Sequence, residues 1–155
     1  MNATFNETRM AYQAADQTVN NSITLISSTY LVLAVEDNSV YVFEGHLLHT
    51  SGTTPDFQVN ILLPASSTVI SAVRWGSDTA ASFGGTDVYH DGFTASGWNL
   101  GGIGSSVVFA SAPRMVFSTA ATAGNCTVQF AQNTANASNT VLKAGSWIRL
   151  TKVVG

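Results

Sequence analysis

Histidines and their neighbouring acids are the side chains in this sequence that could support general acid–base or metal chemistry. His46 and His49 are three residues apart in a segment predicted to be a β-strand. Because side chains alternate between the two faces of a strand, an odd spacing places these imidazoles on opposite faces, where they cannot share a metal ion. His90 and Asp91 are an adjacent base and acid, but no nucleophile motif accompanies them. The histidines therefore predict neither a catalytic residue nor a metal site.

The remaining reactive residue types form no recognisable motif. The carboxylates are dispersed, and Gly101–Gly104 lacks the GxGxxG spacing and the lysine of phosphate-binding loops. Ser105 and Ser106 do not fit the GxSxG frame of a nucleophile elbow. Cys126, the single cysteine, cannot form an intrachain disulfide and lies among apolar residues, as a buried thiol does. We therefore expect no catalytic residue, no cofactor and no enzyme activity.

Charged residues are scarce, at 10% of the 155 residues, and the net charge is −3. The six lysines and arginines are scattered, whereas nucleic acid and anionic membranes are bound by clustered cations. We therefore expect no nucleic-acid partner and no membrane partner. The first residues lack the basic and apolar regions of a signal peptide, so we expect synthesis in the cytoplasm without export.

Short β segments bounded by turn residues follow one another from Ser22 onwards. The clearest is Asp56–Leu63, in which alternate residues are apolar. The other predicted strands are Ile23–Ser27, Tyr30–Val35, Val40–Thr50, Thr68–Trp75, Thr86–His90, Ser106–Ala110, Arg114–Ala120, Cys126–Gln132, Thr140–Lys143 and Trp147–Val153. These eleven candidate segments, taken as about eight to ten strands without intervening helices, predict an all-β fold, an antiparallel β-sandwich of the jelly-roll type.

Two regions differ from this β pattern. Residues 1–21 are polar with isolated apolar positions, which predicts an extended N-terminal arm ahead of a sandwich domain at 22–155. Residues 76–104 are rich in glycine, and four aromatic residues lie in or beside this region: Trp75, Tyr89, Phe93 and Trp98. These aromatics either cap one end of the sandwich or lie on an outward loop, at a subunit or ligand surface.

The low charge bears on assembly as well. Monomeric β proteins protect exposed sheet edges with lysine, proline or inward charges, and this chain has two lysines and three prolines. A surface of small and hydroxyl-bearing residues with little charge suits permanent contact with neighbours. We therefore expect an obligate oligomer with closed cyclic symmetry.

Three stretches of the C-terminal third carry a resemblance. The segments 128–134 (VQFAQNT), 136–140 (NASNT) and 143–150 (KAGSWIRL) resemble the ending of small virion proteins of tailed bacteriophages that infect actinobacteria. Segments 16–22, 40–43 and 50–57 look like the same group, so the resemblance covers most of residues 16–153. Region 76–104 fits it poorly. These motifs are structural rather than catalytic.

The group resembles trimeric jelly rolls of the complement-head and tumour-necrosis-factor type. The resemblance implies a homotrimer with an apolar and aromatic threefold axis, a place on the virion surface and no enzyme activity. Such proteins occur as capsid decoration proteins, whose partner is the major capsid protein, and as tail-fibre or minor tail tips that bind a host-surface glycan.

The short N-terminal region favours the decoration role, because a fibre tip would need a shaft. In that role residues of the arm would contact the capsid, and we name Phe5, Arg9, Met10 and Tyr12. Three copies would clamp neighbouring capsomers and stabilise the head. In the tail role, Trp98, Tyr89 and Phe93 would stack on sugar.

Overall fold

The computed structural model describes residues 7–76 and 97–154 and the backbone of residues 90–91. Throughout this part the secondary structure is antiparallel β, without a helix. No helix in these ranges could therefore cross a bilayer. The predicted all-β sandwich is confirmed.

The described residues contain twelve strands. They are β1 (Thr8–Tyr12), β2 (Gln17–Val19), β3 (Ile26–Val35), β4 (Val40–Ser51), β5 (Phe57–Leu62), β6 (Thr68–Trp75), β7 (His90–Asp91), β8 (Trp98–Leu100), β9 (Gly104–Ser118), β10 (Gly124–Gln132), β11 (Thr140–Leu142) and β12 (Trp147–Val154).

The strands form two sheets. The larger sheet has eight strands, six of which follow the order β1-β12-β4-β9-β6-β7. The other two are β11, which pairs with the C-terminal half of β4, and β2, which pairs with β11. The smaller sheet has the order β3-β10-β5-β8. From β2 to β6 and from β7 to β11 the chain crosses to the opposite sheet at each step, which is the connectivity of a jelly roll.

The core lies between the two sheets. Alternate residues of β4 and β5 point into it, as the period-two pattern of Asp56–Leu63 predicts. Phe57 of the smaller sheet stacks on His49 of the larger sheet, with ring centroids 4.3 Å apart, and on Phe130 at 6.0 Å. Further large side chains with almost no exposure are Phe43, Leu47, Leu100, Phe117, Leu142, Ile148 and Leu150.

Two pairs of predicted strands are each a single strand. Ser106–Ala110 and Arg114–Ala120 belong to β9, which continues through Pro113. Proline fits between β4 and β6 because the facing residue is Gly45, where an added Cβ would lie 2.9 Å from Pro113 Cγ.

Ile23–Ser27 and Tyr30–Val35 are likewise joined in β3. The predicted break is present as a register shift against β10, between Thr127 and Gln129. There the Ser28 hydroxyl accepts hydrogen bonds from the amides of Tyr30 and Leu31. The side chain thus satisfies backbone groups that the bulge removes from the ladder.

The predicted arm is extended, and from Glu7 to Val19 it lies against its own chain. β1 pairs with β12 over five residues, and β2 pairs with β11 over three. Gln13, between them, is fully buried; its amide donates to Ser146 O and its side-chain oxygen accepts from the Ser28 hydroxyl. This part of the arm is therefore built into the sandwich.

Candidate functional site

The two histidines of β4 lie on opposite faces, as their spacing predicts. His49 points into the core between Phe57 and Phe109. Burial lowers the pKa of His49 to about 3, so its imidazole is neutral at physiological pH. His46 points outward and stacks on Trp147, with ring centroids 6.1 Å apart. The two rings do not form a common site.

The other chemically reactive residues are structural wherever they are described. Burial raises the pKa of the Cys126 thiol well above its usual value, which makes the thiolate scarce. In the predicted glycine-rich loop, Gly102 donates its amide to Asp56 Oδ1 at 2.9 Å, and a Cβ there would lie 2.4 Å from Ser51 O. Across the described ranges, no three histidine, cysteine or acidic residues could jointly hold a metal ion.

The four aromatics singled out near the glycine-rich region have different positions. Trp98 lies on β8 and is only 6% exposed, so it belongs to the core and does not face outward. Trp75, at the end of β6, is 50% exposed. Tyr89 and Phe93 lie outside the described residues, as do the side chains of His90 and Asp91.

The predicted capsid-contact residues of the arm also lie in different surroundings. Arg9 is turned towards its own chain, where it binds Glu7, Glu36 and the carbonyl of Ala34. Met10 and Tyr12 are 62% and 60% exposed on the opposite side of β1. Phe5 lies outside the described residues. Met10 and Tyr12 are thus available for contact, while Arg9 is engaged.

The solvent side of the larger sheet, here called the outer face, has its side chains in three rows across the strands. The aromatic row holds Tyr12, Trp147, His46 and Trp75, on β1, β12, β4 and β6. The ion row follows with Met10, Arg149, Glu44, Arg114 and Val73, and the third row with Thr8, Thr151, Val42, Val116 and Ser71. Val42, Ser71, Val73, Trp75 and Val116 help to line a shallow groove of about 390 Å³.

Glu44 is the centre of the ion row. Its carboxylate binds Arg149 on β12 and lies 3.3 Å from Arg114 on β9. Each charge of the row therefore has a partner of opposite sign within its own chain. The outer face can be covered without leaving the carboxylate unpaired.

The outer side of the smaller sheet has a different composition. Asn60 donates a hydrogen bond to Gln129 on the neighbouring strand, and Gln58, Asn99 and Thr127 also point to this side. Leu62 and Tyr30 are large apolar side chains exposed there, at 45% and 41%. Amides and hydroxyls thus occupy the middle of this side, whereas aromatic and aliphatic rows occupy the outer face of the larger sheet.

The residues that resemble phage virion proteins hold turns together. Gln132 is fully buried; its side-chain oxygen accepts from the amides of Ser22 and Asn136, and its nitrogen donates to the carbonyls of Asn136 and Ser138. Ser146 closes the turn before β12, with its hydroxyl bonded to Lys143 O and accepting from the amide of Leu48. Their roles are architectural.

No known protein family matches the sequence, and no curated protein matches it. Among solved structures, a chain from infectious bursal disease virus, Gt strain, aligns with a TM-score of 0.29 and 10% identity over 97% of this chain and 42% of that one. A chain from the VP2 subviral particle of the same virus aligns with a TM-score of 0.27 and 9% identity, over 98% and 38%. This chain thus spans about two fifths of their length. At such low TM-scores, no property of these viral proteins is transferred to it.

Proposed function

We propose that this protein is a non-enzymatic structural protein of a virion, a homotrimeric decoration protein on the capsid surface that stabilises the head. The observation that carries the proposal is the outer face of the larger sheet, where exposed or half-buried aromatic and aliphatic side chains flank a row of paired charges across five adjacent strands. The resemblance of its turn motifs to phage virion proteins supports the virion setting, with the major capsid protein as partner.

The row arrangement of the outer face favours self-association about a rotation axis that runs parallel to the strands. Such an axis brings each row against the same row of a neighbour, aromatic against aromatic and aliphatic against aliphatic. Five strands about 4.8 Å apart give a face about 24 Å wide, and five residues along each give about 17 Å. Their product, about 410 Å², is about half of the roughly 800 Å² that each partner buries in a standard stable interface, so the proposed interface would extend beyond this face.

A tail-tip role with a glycan ligand receives less support. Of the three aromatics assigned to stack on sugar, Trp98 is buried, and Tyr89 and Phe93 lie outside the described residues. Copy number separates the two roles, since decoration proteins cover the head and tail tips occur in few copies. Gold labelling of intact virions should mark the whole capsid; label confined to the tail would overturn the decoration role.

Assembly is tested by placing a charge on the outer face. Val116→Lys would bring three ammonium groups together at the proposed interface, so light scattering should give the mass of one chain instead of three. Leu62→Lys places the same charge on the polar side of the smaller sheet and should leave the trimer intact. A monomeric native protein, or equal masses for both variants, would contradict the proposal.

A further inference from the structure

We propose that the open edge of β1 binds an extended strand of the capsid shell protein, which lengthens the larger sheet by one strand. This inference rests on the proposed function and names how the chain attaches to its partner. Three observations carry it. They are the direction of the β1 main-chain groups, the way side chains cover the edge of β3, and the exposed side chains beside the β1 edge.

The first step is the direction of the β1 peptide groups. The amide of Lys152 donates to Glu7 O, and the amide of Gln13 donates to Ser146 O. Because hydrogen-bonded pairs alternate along an antiparallel ladder, the residues bonded to β12 are the odd-numbered ones. The amides and carbonyls of Thr8, Met10 and Tyr12 therefore point away from β12, and within the described residues no main-chain partner meets them.

The second step is the contrast with β3, the edge of the smaller sheet. Gln17 covers that edge as a strand would, since its Nε2 donates to Ser27 O at 2.9 Å and its Oε1 accepts from the Thr29 amide at 3.0 Å. Arg9 Nη1 donates to Ala34 O further along the edge. Side chains of the N-terminal segment thus protect β3, while no main-chain group of residues 7–76 or 97–154 pairs with the segment's own outer edge. An unprotected edge is a template for strand addition.

The third step is the side-chain environment of the edge. Met10 and Tyr12 are exposed on one side of β1, and Arg9 on the other side is held by Glu7 and Glu36. An added strand would place alternate residues beside Met10 and Tyr12, where apolar side chains gain contact. The occupant is therefore an extended segment with apolar residues at alternate positions.

A strand from another protein suits the proposed assembly better than a second copy of β1. Pairing of two β1 edges would join closed trimers pairwise through twofold axes and continue into an open network. A strand from the shell protein would instead occupy the β1 edge without joining one trimer to another. It would add its main-chain bonds at each of three tethered positions on the trimer, and linked contacts strengthen one another.

The test uses Met10→Pro in the full-length protein. Proline removes the outward amide of residue 10 and blocks an incoming strand, but leaves the bonds of Arg9 and Ala11 to β12. Met10→Ala is the matched comparison, because it loses the side-chain contact with an added strand and keeps the amide. The probe is the naked capsid shell of the source virion prepared without this protein, and binding is measured by co-sedimentation.

Native protein should bind the shells, Met10→Ala should bind them more weakly only by its lost side-chain contact, and Met10→Pro should bind roughly tenfold more weakly than Met10→Ala or worse, as expected for two or more lost main-chain bonds. Hydrogen exchange adds an independent readout: the amides of residues 8, 10 and 12 should exchange quickly in the free protein and slowly on shells. Equal binding of both variants, without new protection, would overturn strand addition and leave the decoration role standing.

Two further results would also overturn it. Failure of the native protein to bind shells would remove the decoration role together with this inference. Protection of the same three amides in the free protein, increasing with its concentration, would assign the edge to a second copy instead.

Discussion

At the residue scale, His49 is the most unusual group in the core. Its ring lies between Phe57 and Phe109, and neither ring nitrogen has a hydrogen-bond partner in the described part of the chain. Asp56 directly precedes Phe57 in the chain, and its Oδ1 accepts from the Gly102 amide. Protonation would place a charge between the two sheets, so the folded protein resists it until the pH reaches about 3.

This burial predicts acid sensitivity. The unfolded chain binds a proton at His49 below its ordinary pKa near 6.5, whereas the folded chain does not. The free energy of unfolding therefore carries no penalty from His49 above that pH, and it falls as the pH drops from about 6.5 towards 3. Below the ordinary pKa the loss approaches about 1.4 kcal/mol per pH unit. Urea unfolding at pH 7, 6 and 5 measures it above the range in which carboxylates titrate.

Two variants isolate the contribution of His49. His49→Leu should flatten the dependence of the unfolding midpoint on pH between 7 and 5, because the buried titratable group is gone. His46→Leu changes the outward histidine of the same strand and should keep the slope. If His49→Leu retains the native slope, the acid sensitivity comes from another group.

Gly45 and Pro113 form the second prediction at this scale. An added Cβ at Gly45 would lie 2.9 Å from Pro113 Cγ, inside ordinary contact distance. Gly45→Ala should therefore lower the free energy of unfolding by about 1–3 kcal/mol, as overpacking does. In a Pro113→Ala background the same substitution should cost clearly less. Equal costs in both backgrounds, measured by urea unfolding, would show that the strain lies elsewhere.

At the element scale, the strands that carry the core could be predicted and the edge strands could not. Thr68–Trp75 is found with the predicted bounds, and Val40–Thr50 ends one residue later, because alternating apolar residues and turn residues mark both. β1 and β2 contribute little to the core beyond Ala11 and Val19. Such segments have no hydrophobic period, and they are strands because β12 and β11 pair with them.

The outer face could not be predicted for a related reason. Tyr12, Trp147 and Trp75 are far apart in sequence, and they share a row only because β1, β12, β4, β9 and β6 are neighbours in that order. Strand order depends on long-range packing, which no local pattern reports. Trp98 shows the reverse case, since its glycine-rich neighbourhood left both a capping position on the sandwich and an outward loop open, and the structure buries it in the core.

The Gln17 cap on β3 gives a prediction for this scale. Gln17→Ala removes both bonds to the β3 edge and should lower the free energy of unfolding by about 1 kcal/mol. The Thr29 amide should exchange with solvent faster, and aggregation on heating should increase because the edge is exposed. Thr18→Ala, at the exposed neighbouring position, should change neither. Unchanged exchange at Thr29 would contradict the capping role.

At the scale of the whole molecule, the scarcity of charge has a specific distribution. Arg9, Glu7, Glu36 and Lys152 form one network where β1 meets β3, and Glu44 with its two arginines forms another in the outer face. These charges thus form ion pairs in two places, at the contact of β1 with β3 and in the outer face.

The N-terminal segment therefore joins the stability of the sandwich to its proposed attachment. Deleting residues 1–19 would remove two strands from the larger sheet, uncover the β3 edge and expose the sites of Gln13 and Val19. We expect a loss of about 3–5 kcal/mol, from several main-chain bonds and the burial of these side chains. Thermal unfolding and sedimentation measure the loss and the resulting association.

Adding the missing segment as a separate peptide distinguishes a structural strand from a free arm. A peptide of residues 7–19 should bind the truncated chain and restore its thermal unfolding towards that of the intact protein, because its partners β11 and β12 remain in place. A peptide with Ala11→Pro should rescue poorly, since residue 11 bonds to β12, whereas Met10→Pro should rescue well, since residue 10 points outward. A truncated chain as stable as the intact one would show that the segment is an arm after all, and equal rescue by both peptides would refute the alternation on which the open edge depends.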